Sequence, residues 1–188
     1  MRQETVSVLL DRLSQDGALT VVEGAMGLFD GAADGTASAA DFAALTGWPV
    51  ILVIDARGQA QSAGALLGGF ARHRADTAIA GVIFNRVGGA SHQAALRRAA
   101  GPLGIPVLGC ILRMEELRLP ERHLGLVQAM EHGDLDSFLE RLADCLEPRL
   151  DLGKLLDLAR PVRPQPTPSK METLPSLGQR IAVARDAA

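Results

Sequence analysis

A glycine-rich stretch with three acidic side chains carries the residue types best suited to chemistry in this sequence. Residues 23–36, here called the glycine-rich loop, read Glu-Gly-Ala-Met-Gly-Leu-Phe-Asp-Gly-Ala-Ala-Asp-Gly-Thr. The apolar run at 19–22 predicts a short strand, so Glu23 is expected at a strand's carboxyl end, where open parallel sheets bind ligands. One carboxylate beside glycine backbone suits a Mg²⁺ ion shared with nucleotide phosphates. A turn-forming loop with solvated acids explains the same residues equally well.

Two further apolar runs end in polar side chains. Asn85 and Arg86 follow Ile83-Phe84, and the amide of Asn85 offers the donors and acceptor that bind an adenine edge. The alternative is an asparagine that caps the turn after its strand. Asp55 follows Val53-Ile54, and its carboxylate either binds a metal ion or organises the next loop through backbone amides.

Arg122 and His123 are the remaining pair of side chains that could take part in binding or catalysis. Together they suit a carboxylate or phosphate ligand, although an Arg-His pair is also an ordinary surface feature. The sequence contains no Cys/His spacing typical of a metal site and no G-x-x-x-x-G-K-[ST] phosphate loop.

Apolar periodicity predicts the elements that position these residues. We expect strands at 19–22, 50–54, 79–84 and 106–110, and helices at 6–15, 38–45, 59–73, 91–100, 127–147 and 150–159. Residues 50–54 are apolar throughout, which is typical of a strand covered on both faces. Strands alternating with helices predict an α/β fold, with an open, mainly parallel sheet and helices on both faces.

Composition excludes several classes of protein. The 188 residues are 47% hydrophobic and 22% charged, enough apolar content for a sizeable core. A net charge of −3 argues against nucleic-acid binding, and the apolar runs are too short to span a membrane. The two cysteines, Cys110 and Cys145, fit a reducing compartment, so we expect a soluble cytoplasmic protein.

The two ends of the chain predict that it is the middle of a longer protein. A helix before an apparently central strand is an unusual start for such a sheet. Near the other end, four prolines within residues 161–168 predict an extended linker. The expected organisation is a partial domain over 1–160, a linker over 161–178 and the start of a further domain over 179–188.

Together, these segments resemble the ATP-dependent domain of the cobyrinate (or hydrogenobyrinate) a,c-diamide synthase family. Glu-Gly-Ala-Met-Gly-Leu-Phe-Asp-Gly at 23–31 is the most specific match, and segments 49–58, 80–87 and 119–126 follow in the family's order. Residues 180–188 are similar to the opening of its glutaminase domain. The resemblance implies a P-loop NTPase fold of the dethiobiotin synthetase type, here without its first strand and phosphate loop.

The resemblance also implies a reaction and its cofactors. ATP as co-substrate, with Mg²⁺, activates the a and c carboxylates of a cobyrinic-type corrin, and ammonia from glutamine then forms the amides. Glu23 would bind the metal, and Asn85 with Arg86 would bind the nucleotide. The resemblance places Thr36, Arg122 and His123 at the substrate, with Asp30 and Asp34 as catalytic candidates. The implied partners are the corrin substrate and a glutaminase domain. A second copy of the chain would be a further partner if the protein forms a homodimer.

In this family the phosphate loop would lie upstream of Met1, and the cysteine nucleophile of the glutaminase domain would lie beyond Ala188. Neither Cys110 nor Cys145 lies in a nucleophile-elbow sequence, so neither can replace that cysteine. We therefore expect that the 188-residue chain alone neither hydrolyses ATP nor uses glutamine. Two alternatives stay open. One is a related amidoligase such as a nickel-sirohydrochlorin a,c-diamide synthase, and the other is a non-catalytic nucleotide-fold scaffold that binds a protein partner.

Overall fold

The computed structural model describes residues 3–15, 19–114, 121–122, 125–126 and 134–161. Of these, the residues up to Thr20 belong to one compact unit and those from Val21 onward to another. The first unit contains helix α1, Gln3–Gln15, whose buried Val6 and Leu10 lie one helical turn apart. The helix predicted at 6–15 is therefore confirmed.

The second unit alternates strands and helices. Its strands are β1 Val50–Asp55, β2 Ile79–Val87, β3 Val107–Leu112, β4 Glu121–Arg122 and β5 Gly125–Leu126. Its helices are α2 Ala39–Thr46, α3 Gln61–His73, α4 Ala90–Ala100, α5 Leu135–Leu146 and α6 Leu152–Asp157, with short 3-10 turns at Gly101–Leu103 and Glu147–Arg149. The prolines at 162–168 and the strand expected near residue 180 lie outside the described residues, as do residues 127–133 of the long predicted helix.

The main sheet is parallel and has the order β1-β2-β3, while β4 and β5 form a separate antiparallel pair. β1 pairs with β2 from Val50 opposite Ile79 to Asp55 opposite Asn85. The α/β fold predicted from the sequence is confirmed. None of the described helices is long and apolar enough to cross a membrane.

The apolar core lies between the sheet and helices α3 and α4. Alternate strand residues point to the same face, and Ile54, Val82, Phe84 and Cys110 pack there against both helices. On the opposite face Val53 is 60% exposed. The prediction that β1 is covered on both faces is therefore wrong for the part of the chain that the structure describes.

Residues 19–24 do not form the predicted strand. A β-strand exists only when a neighbouring strand takes its backbone hydrogen bonds, and among the described residues β1 pairs with β2 alone. Val21 is 84% exposed and Val22 is also exposed. Their β-branched side chains favour a strand, but local preference does not supply a pairing partner.

Helix α2 begins and ends as its sequence predicts. The Ser38 hydroxyl accepts from the Asp41 N–H at 3.1 Å, and the Asp41 carboxylate accepts from the Ser38 N–H at 3.0 Å. This reciprocal capping box satisfies two backbone donors at the helix start. Gly47 ends the helix in the left-handed conformation, φ +70°, which glycine adopts without strain.

Helices α3 and α4 approach closely at Gly64, and this contact gives the first prediction. A methyl group added there would lie 2.5 Å from the Ala99 carbonyl oxygen, whereas one added at Gly69 of the same helix would meet nothing within 4 Å. We expect Gly64→Ala to destabilise the fold by about 1–3 kcal/mol because the helices must separate. Gly69→Ala, the matched control, should stabilise it by about 0.5–1 kcal/mol. Hydrogen exchange in the sheet measures both changes, and equal effects would contradict the contact.

Candidate functional site

Polar side chains from two strand ends meet at the carboxyl edge of the sheet. Asp55 at the end of β1 lies opposite Asn85 near the end of β2. The Arg86 Nη1 donates to Asp55 Oδ2 at 3.0 Å, and the Ala56 N–H donates to the Asn85 carbonyl at 2.9 Å. The loops that follow β1 and β2 are therefore joined where open parallel sheets bind their ligands.

A bulge in β2 lies at this point. β2 pairs Phe84 with Cys110 and Val87 with Leu112, so β2 has one residue more than β3 between the two pairs. Arg86 has φ +58°, a left-handed backbone conformation that non-glycine residues rarely adopt. Bulges and backbone strain of this kind are enriched next to functional sites, where they redirect side chains. Here the bulge accompanies the turn of Arg86 toward Asp55.

Asp55 organises its own loop, one of the two roles that the sequence left open. Its Oδ1 accepts from the Arg57 N–H at 2.9 Å, while its Oδ2 accepts from Arg86. The backbone hydrogen bond from Arg57, and then the hydrogen bond and charge of Arg86, hold the pKa of Asp55 below its usual value. Asp55 is therefore a carboxylate that fixes both loops.

Asn85 makes one of the two contacts considered from the sequence. Its Oδ1 accepts from the Arg86 N–H at 2.8 Å, which is the turn-capping contact. A carbonyl oxygen has a second lone pair, and no partner for the Nδ2 donors occurs among the described residues. The side chain keeps the donor and acceptor that an adenine edge needs.

His92, which belongs to no motif of the sequence analysis, joins the same two loops. Its Nδ1 accepts from the Gly88 N–H at 3.0 Å, and its Nε2 lies 2.5 Å from the Gln59 carbonyl oxygen. Gln59 is 33 positions away in sequence, so no local spacing indicates the contact. Only the pairing of β1 with β2 brings the two residues together.

Hydrogen bonds inside the glycine-rich loop fix its second half. The Thr36 hydroxyl and N–H both donate to Asp34 Oδ1, at 2.7 and 3.0 Å, and the Ala32 N–H donates to the Thr36 carbonyl at 2.7 Å. The two bonds from Thr36 lower the pKa of Asp34, which makes this carboxylate a weak base. Gly31 is required here, because a methyl group in its place would clash with the Thr36 carbonyl oxygen.

Phe29 attaches the glycine-rich loop to helix α3. Its ring stacks on Phe70 with centroids 5.5 Å apart and tilts against His73 at 4.4 Å. Since α3 starts after the carboxyl end of β1 and ends before β2 begins, its last turn lies toward the amino edge of the sheet. The structure thus brings Asp55, Asn85 and Arg86 together but places Phe29 toward the other edge.

Glu23 lies at no strand end, contrary to the expectation, because residues 19–24 form no strand. Glu23 and Asp30 are exposed, and no group of three His, Cys, Asp or Glu side chains within the described chain could hold a metal ion unaided. Since Mg²⁺ in nucleotide sites usually takes one or two carboxylates plus phosphate and water, a single carboxylate such as Glu23 fits a metal carried by a nucleotide.

The other predicted residues are placed only in part. Arg122 lies in β4, paired with Gly125 in β5, whereas His123 lies outside the described residues. Cys110 is buried in the core, and burial raises its thiol pKa, as expected of a structural cysteine rather than a nucleophile.

The carboxylate of Asp55 gives a prediction for pH dependence. Because its pKa is lowered on folding, its stabilising effect is complete above the usual aspartate pKa and is lost as pH falls toward the folded value. In Asp55→Asn the side-chain oxygen still accepts from Arg57 but the charge is gone, so we expect a loss of about 0.2–1 kcal/mol at pH 7 that shrinks toward pH 3. Denaturation at both pH values tests this. Exposed Asp144 provides the control Asp144→Asn, and a loss independent of pH would contradict the role of the charge.

Comparison with known proteins agrees with the family resemblance. Residues 1–121 match the model of the AAA domain family. Relatives named hydrogenobyrinate a,c-diamide synthase include those of Brucella anthropi, 52% identical over 99% of this chain, and of Rhizobium meliloti, 46% identical over 100% of it. The Agrobacterium fabrum relative of the same name is 44% identical over 100% of the chain.

The chain spans 43% of the length of each of these curated relatives. No solved structure matches it. Since the family model covers well over half of the 188 residues, the chain belongs to the AAA domain family and is similar along its whole length to part of the hydrogenobyrinate a,c-diamide synthases.

Proposed function

We propose that this chain is part of a glutamine-dependent ATP amidoligase that amidates the a and c side-chain carboxylates of hydrogenobyrinic or cobyrinic acid in cobalamin biosynthesis. The carrying observation is the likeness to hydrogenobyrinate a,c-diamide synthases over 99–100% of the chain. The geometry supports it at one point, the carboxyl edge where Asp55, Asn85 and Arg86 meet.

The proposed reaction has two steps. A substrate carboxylate oxygen attacks the γ-phosphorus of ATP, the bond to the bridging oxygen breaks, and an acyl phosphate and ADP result. Ammonia released from glutamine then attacks the acyl carbon, the carbon–oxygen bond to phosphate breaks, and the amide and inorganic phosphate form after loss of a proton. Phosphoryl transfer needs mainly positioning and charge neutralisation, so few side chains act covalently.

Within this reaction, the carboxyl edge of the sheet supplies the nucleotide site. Asn85 would bind adenine, with the β2 bulge and the Arg86–Asp55 pair fixing its loop. Bound Mg²⁺ would neutralise phosphate charge, with Glu23 as its carboxylate ligand.

The substrate corrin would lie against Thr36 and the Arg122–His123 pair. Because the loop from Ala32 to Thr36 is closed by its own hydrogen bonds, it presents a preformed surface. Asp34 would act there as a fixed charge, since its lowered pKa makes it a poor proton acceptor. Asp30 stays the second catalytic candidate. The glutaminase domain that releases ammonia, and a second copy of the chain, would be the partners, and the site of action would be the cytoplasm.

The test uses the full-length protein that carries this chain, with ATP, Mg²⁺ and glutamine labelled with ¹⁵N at its side-chain amide. We expect two labelled amides in hydrogenobyrinic acid, found by mass spectrometry. A protein that amidates nickel-sirohydrochlorin in competition and leaves hydrogenobyrinic acid unchanged would belong to the related amidoligases. A protein that binds another protein but turns over neither acid would be a scaffold, and either result would overturn the proposal.

A further inference from the structure

His92, at the start of α4, connects the loop after β1 to the loop after β2. Its Nδ1 accepts from the Gly88 N–H at 3.0 Å, and its Nε2 lies 2.5 Å from the Gln59 carbonyl oxygen. We propose that His92 is a positioning residue that holds these two loops together and thereby keeps Asn85 in place for nucleotide binding. The second half of this inference rests on the proposed function.

The two contacts define where the ring proton lies. A backbone N–H only donates, so Nδ1 carries no proton where it accepts from Gly88. A carbonyl oxygen only accepts, so Nε2 carries the proton that is donated to Gln59. The geometry therefore assigns the neutral Nε2–H tautomer, and only this form makes both bonds at once.

Among the contacts that join the two loops, the His92–Gln59 bond connects the residues farthest along the chain from the strand ends. Nearer the strands, the Ala56 N–H donates to the Asn85 carbonyl and Arg86 pairs with Asp55. That ion pair is half exposed and is weakened by salt and solvent. Beyond it, Gly88 and Gly89 carry no side chain that would restrict their backbone, and Gly89 adopts φ +155°. The His92–Gln59 bond thus restrains the part of the loop with the greatest intrinsic freedom.

Loss of this restraint would act on ATP affinity more than on the rate of the bound complex. If the loop occupies its binding-competent conformation only part of the time, the apparent Kd rises by the inverse of that fraction. Saturating ATP then selects the competent conformation, so kcat changes little. The expected signature is a raised KM for ATP at nearly constant kcat.

Two conservative variants separate the two hydrogen bonds. Glutamine places a donor at about the reach of Nε2, so His92→Gln retains the bond to Gln59. Asparagine places an acceptor at about the reach of Nδ1, so His92→Asn retains the bond from Gly88 and loses the link between loops. Arg98→Ala, an exposed change on the same helix, is the matched control.

In the full-length protein, we expect His92→Ala to raise the KM for ATP about tenfold with kcat within about twofold. His92→Gln should restore most of the affinity. His92→Asn should behave like His92→Ala, and Arg98→Ala should behave like the wild type. Rescue by asparagine instead of glutamine, or an unchanged KM in His92→Ala, would overturn the inference.

A measurement without nucleotide separates this inference from the proposed function. ¹⁵N NMR of the histidine-labelled wild-type protein should show His92 as the neutral Nε2–H tautomer, and a proton on Nδ1 would overturn the link even if every variant failed to fold. If the wild-type protein bound no ATP, the proposed function and the nucleotide half of this inference would be wrong. The Nε2–H tautomer together with faster hydrogen exchange near Gln59 in His92→Asn would still support the loop connection.

Discussion

Replacing Asn85 with alanine in the full-length protein is expected to raise the KM for ATP about 10- to 100-fold, equivalent to about 1.4–2.7 kcal/mol. The reason would be the loss of the amide that we propose pairs with the adenine edge. In the described part of the chain its Nδ2 has no protein partner, while Oδ1 accepts from the Arg86 N–H at 2.8 Å. Steady-state kinetics with ATP and with GTP would measure it, and discrimination between the two nucleotides should fall in parallel.

Asn85→Asp provides the matched control for the turn. A carboxylate keeps the acceptor for the Arg86 N–H but loses both Nδ2 donors. If Asn85 binds adenine, the aspartate variant should lose ATP affinity as strongly as the alanine variant. If Asn85 only caps the turn, the aspartate variant should resemble the wild type, and the nucleotide role would be wrong.

Local sequence signals predicted most of the fold correctly because local interactions determine those features. The Ser38–Asp41 capping box and Gly47 define the start and end of α2 from within ten residues of chain. The apolar runs at 50–54 and 79–84 form β1 and β2. Side chains from both runs, such as Ile54 and Phe84, pack in one buried cluster. The limits of α2 need no knowledge of distant residues, whereas each of the two strands also needs the other as its pairing partner.

Features that depend on distant partners could not be predicted in the same way. Val21 and Val22 have strong strand preference, yet they form no strand because pairing depends on a neighbour and not on the segment itself. The bulge at Asn85 and the left-handed Arg86 follow from the registers of β2 with its two neighbours. Similarly, Phe29 reaches Phe70, and that contact places Phe29, rather than a strand-end residue of the loop, against helix α3.

Phe84→Ala is expected to have the largest effect on stability, about 3–5 kcal/mol. Phe84 is fully buried at 0% exposure, in β2 at the centre of the three-stranded sheet, and packs in the cluster formed with α3 and α4. Truncation removes the ring's apolar contacts and leaves a cavity. The cavity closes only in part, because β2 is held between β1 and β3. This loss is a large part of the 5–15 kcal/mol, roughly, that stabilises a whole domain. Hydrogen exchange in β1–β3 should therefore accelerate by several orders of magnitude.

Val53→Ala is the matched control because Val53 lies in the neighbouring strand on the open face, 60% exposed. It removes less apolar surface from a site that is already hydrated, so the expected cost is below about 1 kcal/mol. Phe84 also precedes Asn85 directly, so the alanine variant should raise the KM for ATP where folded protein remains, whereas Val53→Ala should leave that KM unchanged. Equal losses of stability would place the core on the wrong face of the sheet. A normal KM in folded Phe84→Ala would mean that the loop contacts of Arg86 and His92 hold Asn85 without support from the core.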